Sequence, residues 1–324
     1  KDFLMGGAVC LRRNYADLPF SPDSRADVAQ AVNERVLPVL EKEEDTFTYL
    51  MVQQMEPEQR RVLIAHGLLD PDSADNALSS AYLRQDDCLC VQTAAADHLR
   101  IAAYDEDGIL SDCLALCLPL EQTLAVDHPY ARSAQYGHLT ARPCDAGSGL
   151  RASLLLHLPM LTATGQMDRI IGYAGSRGCA VRGTYGEGSQ AVGGFYQVSN
   201  QVTLGASAAE LTDKLVETAT TIIDAEKKAR EQVRSQNEPA LRDRIYRAAG
   251  TMKSAYLIDT SEAVQCISDV LIGLQMGFLS GMDAQKLYTL EEHIRPAMLT
   301  GAPQDRDRKR AEMLREATAG IRFA

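Results

Sequence analysis

Apolar residues recur at Val28, Val32, Val36 and Leu40, a spacing that lays one stripe along a helix and predicts a helix over 26–42. Ser24, with Asp27 three residues on, supplies its opening cap, and Pro38 predicts a bend near its end. The period then shortens. "FTYLMVQ" (47–53), "DDCLCVQT" (86–93) and "HLRIAAY" (98–104) read as strands, which together predict an antiparallel sheet. A helix follows over 110–124, and "LRASLLLHL" begins another strand at Leu150. The chain reads as helical over 159–177, and 178–200 reads as two short strands around a glycine-rich connector. Ser207 and Glu210 form a capping box for a long amphipathic helix reaching about Gln236, with Leu211, Leu215, Ile222 and Ile223 on its apolar side. Beyond it the pattern is helical only, over roughly 239–249, 261–271, 283–292 and 306–317. The expected fold class is therefore α+β: an antiparallel sheet flanked by helices over 1–236, then a small all-helical domain over 237–324.

Composition narrows the function without naming it. The 324 residues are 45% hydrophobic and 24% charged, an ordinary globular mixture long enough for two domains. No run of about 18 apolar residues and no leader is seen, so the expectation is a soluble cytoplasmic chain with no membrane partner. A net charge of −11 argues against nucleic acid as a partner, since a phosphate backbone needs a basic face. The eight cysteines lack the paired spacing of a disulfide scaffold or of a two-pair zinc site, and no metal site is expected. Buried free thiols are the better reading.

The chemistry-bearing stretch is "TAAADHLRI" (93–101), where three alanines run into Asp97 and His98. Together with "RRNYADLPF" (12–20), "GSGLRASLLLHLPML" (147–161) and "VRGTYGEGSQAVGGFYQVSNQVTLG" (181–205), it resembles the ATP:guanidino phosphotransferases, most closely the bacterial protein-arginine kinases. The likeness continues through "DRIYRAAG" (243–250), "CISDV" (266–270) and "RDRKRAEMLRE" (306–316), so it covers nearly the whole chain. It implies a guanidino-kinase catalytic fold, followed by a helical domain that often dimerises. It also implies transfer of the γ-phosphoryl of Mg-ATP to an arginine guanidinium, a reaction carried by positioning and charge neutralisation.

Several residues depart from the family pattern. Ala94-Ala95-Ala96-Asp97 stands where the family has Asn-Glu-Glu-Asp, so the resemblance places catalytic carboxylates at Ala95 and Ala96. Gln190 stands at the second essential glutamate, keeping its shape but not its charge. Gly6-Gly7-Ala8-Val9-Cys10 stands where the family has Ser-Ser-Arg-x-Arg, without two phosphate-binding arginines, and Arg142 takes the place of a substrate-side cysteine, with Cys144 two residues on. Arg100, Arg151 and Arg182 match the remaining nucleotide-binding arginines. No cofactor follows from the residues themselves, and Mg-ATP is the one the resemblance implies. Arg306, Asp307 and Arg310 match a motif that binds phosphoarginine: one turn apart on a helix, the two arginines could face one phosphate and Asp307 its guanidinium. Taken alone, that run reads as a solvated helix face.

Two functions stay open on this basis. In the first, the chain is an inactive regulatory or adaptor protein that binds phosphoarginine-bearing proteins or an active arginine kinase with its activator, with a link to a Clp-type protease. In the second, it is an active protein-arginine kinase with a rebuilt site: Asp97, Glu187 or Asp145 supplies the carboxylate, and Arg12, Arg13 or Arg142 the cations. A homodimer or heterodimer is expected, with Tyr256, Leu257 and Ile258 as candidates for its seam. His98 and His157, beside apolar strand residues, read as packed or hydrogen-bonded rather than catalytic.

Overall fold

The computed structural model describes residues 3–20, 25–43, 46–184, 191–296 and 298–324; Ser24, Glu187 and Gln190 lie outside them. Its centre is β1 (Leu4–Arg13), buried along almost its whole length. Around it lie β2 (Phe47–Met51), β3 (Ser80–Arg84), β4 (Leu89–Thr93), β5 (Leu99–Asp105), β8 (Leu150–His157), β9 (Cys179–Gly183) and β10 (Phe195–Asn200), in the order β2-β3-β4-β5-β1-β8-β10-β9. Every neighbouring pair is antiparallel. A small hairpin, β6 (Arg132–Ser133) with β7 (Gly137–His138), stands apart from this sheet.

Alternation along the strands gives the sheet two different faces. One carries Val9 and Leu11 of β1, Ile101 of β5 and Leu154 of β8 into the main core beneath α1 (Ala26–Leu40), α3 (Leu110–Leu124) and α6 (Ala208–Ser254). The other carries Ala8, Cys10 and Arg12. Part of it is covered by Val52, Met55, Leu68, Leu69 and α2 (Pro57–Ala65), whose Leu63 packs with Cys10, Cys90 and Ala102 in a second apolar cluster. The rest of that face is the candidate site.

The helical pattern is realised with two changes. The expected run over 159–177 divides into α4 (Pro159–Ala163) and α5 (Met167–Ser176), with Gly165 at φ +66 between them. The long helix does not stop near Gln236. It kinks at Asn237 (φ −159, ψ 67) and continues to Ser254. Asn237 Oδ1 accepts from the Ala240 N–H at 3.2 Å, so it caps the second segment, and Pro239 sits in that segment's first turn, where no N–H is needed. Then come α7 (Thr260–Gln275), α8 (Ala284–His293) and α9 (Pro303–Thr318), and a two-strand ribbon joins β11 (Leu279–Ser280) to β12 (Arg322–Phe323). The apolar core passes unbroken from the sheet into Val264, Ile267 and Val270 of α7.

Buried charge ties this arrangement together. Glu226 of α6 accepts from the N–H groups of Met160 (3.1 Å) and Leu161 (2.8 Å) at the start of α4, and pairs with Arg230 at 2.9 Å. His157, fully buried and stacked on Phe195, meets the Ser268 hydroxyl at 2.8 Å. Burial, with the Arg230 cation nearby, holds the His157 imidazole neutral far below the usual histidine range. Its folded pKa is thus below its unfolded value near 6.5, so the stability it contributes is present above that pH and is lost as pH falls. His98 and His138 are lowered mainly by burial too, His138 to about 3, and act in the same direction. Urea unfolding midpoints are expected to drop between about pH 7 and pH 5.5, with a limiting slope of about 1.4 kcal/mol per pH unit for each proton taken up on unfolding. The slope should be shallower in His157→Gln; an unchanged slope there would contradict the assignment.

Candidate functional site

The open face of the sheet gathers the three arginines singled out in the sequence. Arg100 lies on β5, Arg151 on β8 and Arg182 on β9, all on the face that carries Ala8 and Cys10. The register is explicit: Cys10 pairs with Ala102 on one side and Arg151 on the other, Ala8 pairs with Tyr104 and Ser153, and Arg182 pairs with Gln197. The three arginines differ in what they have left to offer. Arg151 is held by Asp145 Oδ1 (2.7 Å) and the Asn200 carbonyl (3.0 Å). Arg182 is exposed. Arg100 is buried and donates Nη2 to the Gly67 carbonyl at 2.5 Å, while its Nε and Nη1 are buried without a hydrogen-bond partner among the described residues. Unspent buried donors of this kind are suited to an anion.

A cavity of about 340 Å³ lies over this face, between Ala8, Ser153 and Gln197 on one side and Glu291, Glu292 and Arg295 on the other. Glu292 meets His66 at 3.1 Å, and the His66 ring stacks on Tyr104 at 3.9 Å, so α8 is tied to the end of α2 across the mouth. A larger cleft of about 1200 Å³ beside it is lined by Glu56, Glu58, Asp86, Asp105 and Asp283 among others, and would repel a phosphate chain. Among the described residues no cluster of histidine, cysteine or carboxylate side chains is placed to hold a metal ion.

The alanine slot is a buried turn between β4 and β5. Ala94 and Ala95 are enclosed and Ala96 is half-buried, so the turn presents methyl groups only. Ala94 sits at φ +53, a left-handed conformation that asparagine or glycine tolerates better than alanine. Asp97 accepts at Oδ1 from Asn14 Nδ2 (2.6 Å) and from the Ala141 N–H (2.7 Å), which pins the slot to β1 and to the loop after β7. His98 Nδ1 accepts from the Tyr15 N–H at 2.9 Å, so the proton sits on Nε2, which faces the Pro19 carbonyl at 2.7 Å. This neutral ring organises the chain and has no lone pair left for catalysis.

Of the substitute cations and carboxylates, the structure brings some together and sends others away. Arg13 points to the opposite face, against Glu121 at 2.7 Å, and so is no part of the site. Arg142 is partly exposed and pairs with Asp72. Arg12 lies at the centre of a cluster that includes Asp145 and Asp97, both foreseen, and Asp70, which sequence reasoning missed. The only hint of Asp70 is an Asp-Pro step of the kind that opens a turn. Gly149 at φ +65 lets the chain cross directly over Arg12: a Cβ there would lie 2.7 Å from the Arg12 carbonyl oxygen.

The C-terminal motif departs from its expected geometry. Arg306 and Asp307 are half-buried on α9, and Arg306 has no ion pair among the described residues. Arg310, expected to turn toward the same phosphate, is 2% exposed. Its Nε donates to the Ile294 carbonyl at 3.0 Å, and its Nη1 to the Ile258 carbonyl at 2.9 Å and Asp307 at 2.7 Å. It is a tie among three segments, because burying its cation required carbonyl and carboxylate partners. Ile258 is likewise buried, which leaves Tyr256 and Leu257 as the exposed members of the expected seam.

Comparison with known proteins fits this geometry. The fold is that of the guanidino kinases: lombricine kinase superposes with a TM-score of 0.60 at 22% identity, covering 70% of this chain and 67% of that one. A duplicated taurocyamine kinase from Schistosoma mansoni gives 0.58 at 22%, covering 70% of this chain and 32% of that longer one. The chain belongs to the ATP:guanido phosphotransferases, within the protein-arginine kinases: the family's C-terminal catalytic domain matches residues 27–229, and the protein-arginine kinase McsB C-terminal domain matches 238–322. A protein-arginine kinase of Moorella thermoacetica is 33% identical over 98% of this chain and 95% of that one, and one of Bacillus subtilis is 30% identical over 97% and 90%.

Two stability tests follow. Arg310→Ala should cost about 3 kcal/mol in chemical denaturation, since it strands buried acceptors; a surface-like loss of a few tenths would return Arg310 to the solvent-facing role. Ala94→Gly should raise stability by up to about 1 kcal/mol by relieving the left-handed backbone; a loss would show that the turn is not strained at that position.

Proposed function

We propose that this chain is a regulatory protein-arginine kinase homologue that no longer transfers phosphate and instead binds phosphoarginine-bearing proteins or an active kinase partner. The observation that carries the reading is the methyl-lined turn at Ala94–Ala96, where the family resemblance puts catalytic carboxylates at Ala95 and Ala96. The neighbouring carboxylates are already engaged: Asp145 lies between Arg151 and Arg12, and Asp97 Oδ1 accepts two hydrogen bonds. A general base contributes about 10²–10⁴-fold, and an arginine on the transferred phosphoryl group about 10³–10⁵-fold. With Ala8, Cys10 and Ala95 in place of such groups, the site keeps binding capacity without the base.

What it binds follows from what is left. The free donors of Arg100, with Arg151 and Arg182, would hold the phosphates of residual Mg-ATP or another phosphate. Arg306 would take the phosphate of phosphoarginine and Asp307 its guanidinium, with Arg310 fixing Asp307 from behind. Such a protein would work in the cytoplasm as a dimer, beside an active arginine kinase and its activator, and would pass phosphoarginine proteins to a Clp-type protease. One observation favours the second reading, an active kinase with a rebuilt site: Asp97 Oδ2 is buried and makes no hydrogen bond among the described residues, so the slot does not use that oxygen.

Calorimetric titration with a phosphoarginine peptide, together with a γ-phosphoryl transfer assay on an arginine-rich protein, separates the two. Peptide binding is expected, weakened at least about tenfold by Arg306→Ala, the loss of one charge-assisted contact, with no transfer above background. Transfer that Asp97→Asn abolishes would replace the regulatory reading with the kinase.

A further inference from the structure

Arg12 is the most unusual group in the site. The residue is 9% exposed, with Nε 3.5 Å from Asp145 Oδ2 and Nη1 3.7 Å from Asp97 Oδ2 and 4.0 Å from Asp70 Oδ2. Three carboxylates, each at most 3% exposed, therefore surround one cation, and none makes a hydrogen bond to it. Arg12 Nε, Asp70 Oδ2 and Asp97 Oδ2 are all buried without a hydrogen-bond partner among the described residues. The buried pair on the opposite face of the sheet behaves otherwise: Arg13 Nε donates to Glu121 Oε1 at 2.7 Å. The pocket is wider than its occupant.

Nor is the pocket built by Arg12. Asp97 is positioned by Asn14 and the Ala141 N–H, and Asp145 by Arg151. Asp70 is positioned by Gln92, which accepts from its N–H at 2.8 Å, and by the Asp72 N–H. Each carboxylate has its own support, so the acidic frame would stand with the guanidinium removed. Asp97 closes the alanine turn, which puts this frame beside the slot where the family resemblance places the catalytic carboxylates that would orient the acceptor arginine.

We infer that Arg12 is an internal occupant of the acceptor pocket: its guanidinium fills the place of an incoming arginine side chain and keeps free arginine residues out. The ligand class of the pocket is thus a guanidinium, and this chain supplies its own. The inference rests on the proposed function only for the location of the acceptor pocket. Blocking by Arg12 and loss of the base are separate barriers, and restoring transfer would require both to be undone.

The test uses the full chain, with N-acetyl-arginine amide and guanidinium chloride as probes and tetramethylammonium chloride as the control for ionic strength. Wild type is expected to give no binding heat with the arginine amide at millimolar concentration. Arg12→Ala should melt lower than wild type and recover with millimolar guanidinium but not with tetramethylammonium, because a ligand bound only by the folded state stabilises it. It should bind the arginine amide at least about tenfold more tightly than wild type, a difference that a single restored charge-assisted contact supplies. Asp97→Asn in the Arg12→Ala background should remove the recovery. Should Arg12→Ala fail to fold, its refolding yield from urea with and without millimolar guanidinium reads the same point. Equal binding of the arginine amide by wild type, or an Arg12→Ala protein indifferent to guanidinium in both melting and refolding, overturns the assignment. Phosphoryl transfer by wild type would remove the regulatory reading, whereas absence of both transfer and guanidinium rescue removes only the role of Arg12.

Discussion

The pairing of β1 with β5 on one side and β8 on the other is the constraint on which the rest of the molecule depends. A strand buried on both faces has to satisfy every backbone group through its neighbours, and that sets the register of the whole central sheet. The register places Ala8 and Cys10 between the strands that bear Arg100 and Arg151, and brings Arg12 opposite Arg100. Two residue types on one strand thereby decide the character of the face. Small and apolar at 8 and 10, it lets the turn at Gly67 and the side chains of Leu68 and Leu69 close over its edge. Cationic at 12, it draws three aspartates from distant loops around one guanidinium.

Buried charge is used in two ways in this fold. In the scaffold, Glu226 serves two N–H groups and Arg230, and Arg310 serves two carbonyls and Asp307. Such groups hold helices to one another at a desolvation cost that their hydrogen bonds offset. At the sheet face individual buried atoms have no hydrogen-bond partner among the described residues: Arg12 Nε, Asp70 Oδ2, Asp97 Oδ2, and Nε and Nη1 of Arg100. Unpartnered polar atoms concentrated at one place are the physical mark of a site whose partners are not all within the chain itself, or one whose present occupant fits loosely.

Much of the architecture was legible from periodicity. The helices over 110–124 and beyond 260, the strands at 89–93, 99–105 and 150–157, and the capping box at Ser207 follow from side-chain spacing that the backbone geometry requires. The central strand itself was missed. "LMGGAVCLRR" has no alternation to detect, because both of its faces are covered. The helix near Asn237 was read as ending, since asparagine and proline there supply a stop and a start in quick succession, while tertiary packing kept the two segments joined. Arg310 is buried and Arg306 half-buried for a related reason: helical spacing places two residues on adjoining faces but does not say which face is against the core.

What the sequence alone determined was the family, the fold class and the identity of the side chains at each chemically decisive position: alanines at 94–96, no cation at 8 or 10, and arginines at 100, 151 and 182. These are local facts, written residue by residue. The tertiary structure alone decided which charges meet. Asp70, Asp97 and Asp145 converge on Arg12, and Arg310 is withdrawn into the core, because those encounters depend on sheet register and loop path over long separations that no spacing rule encodes.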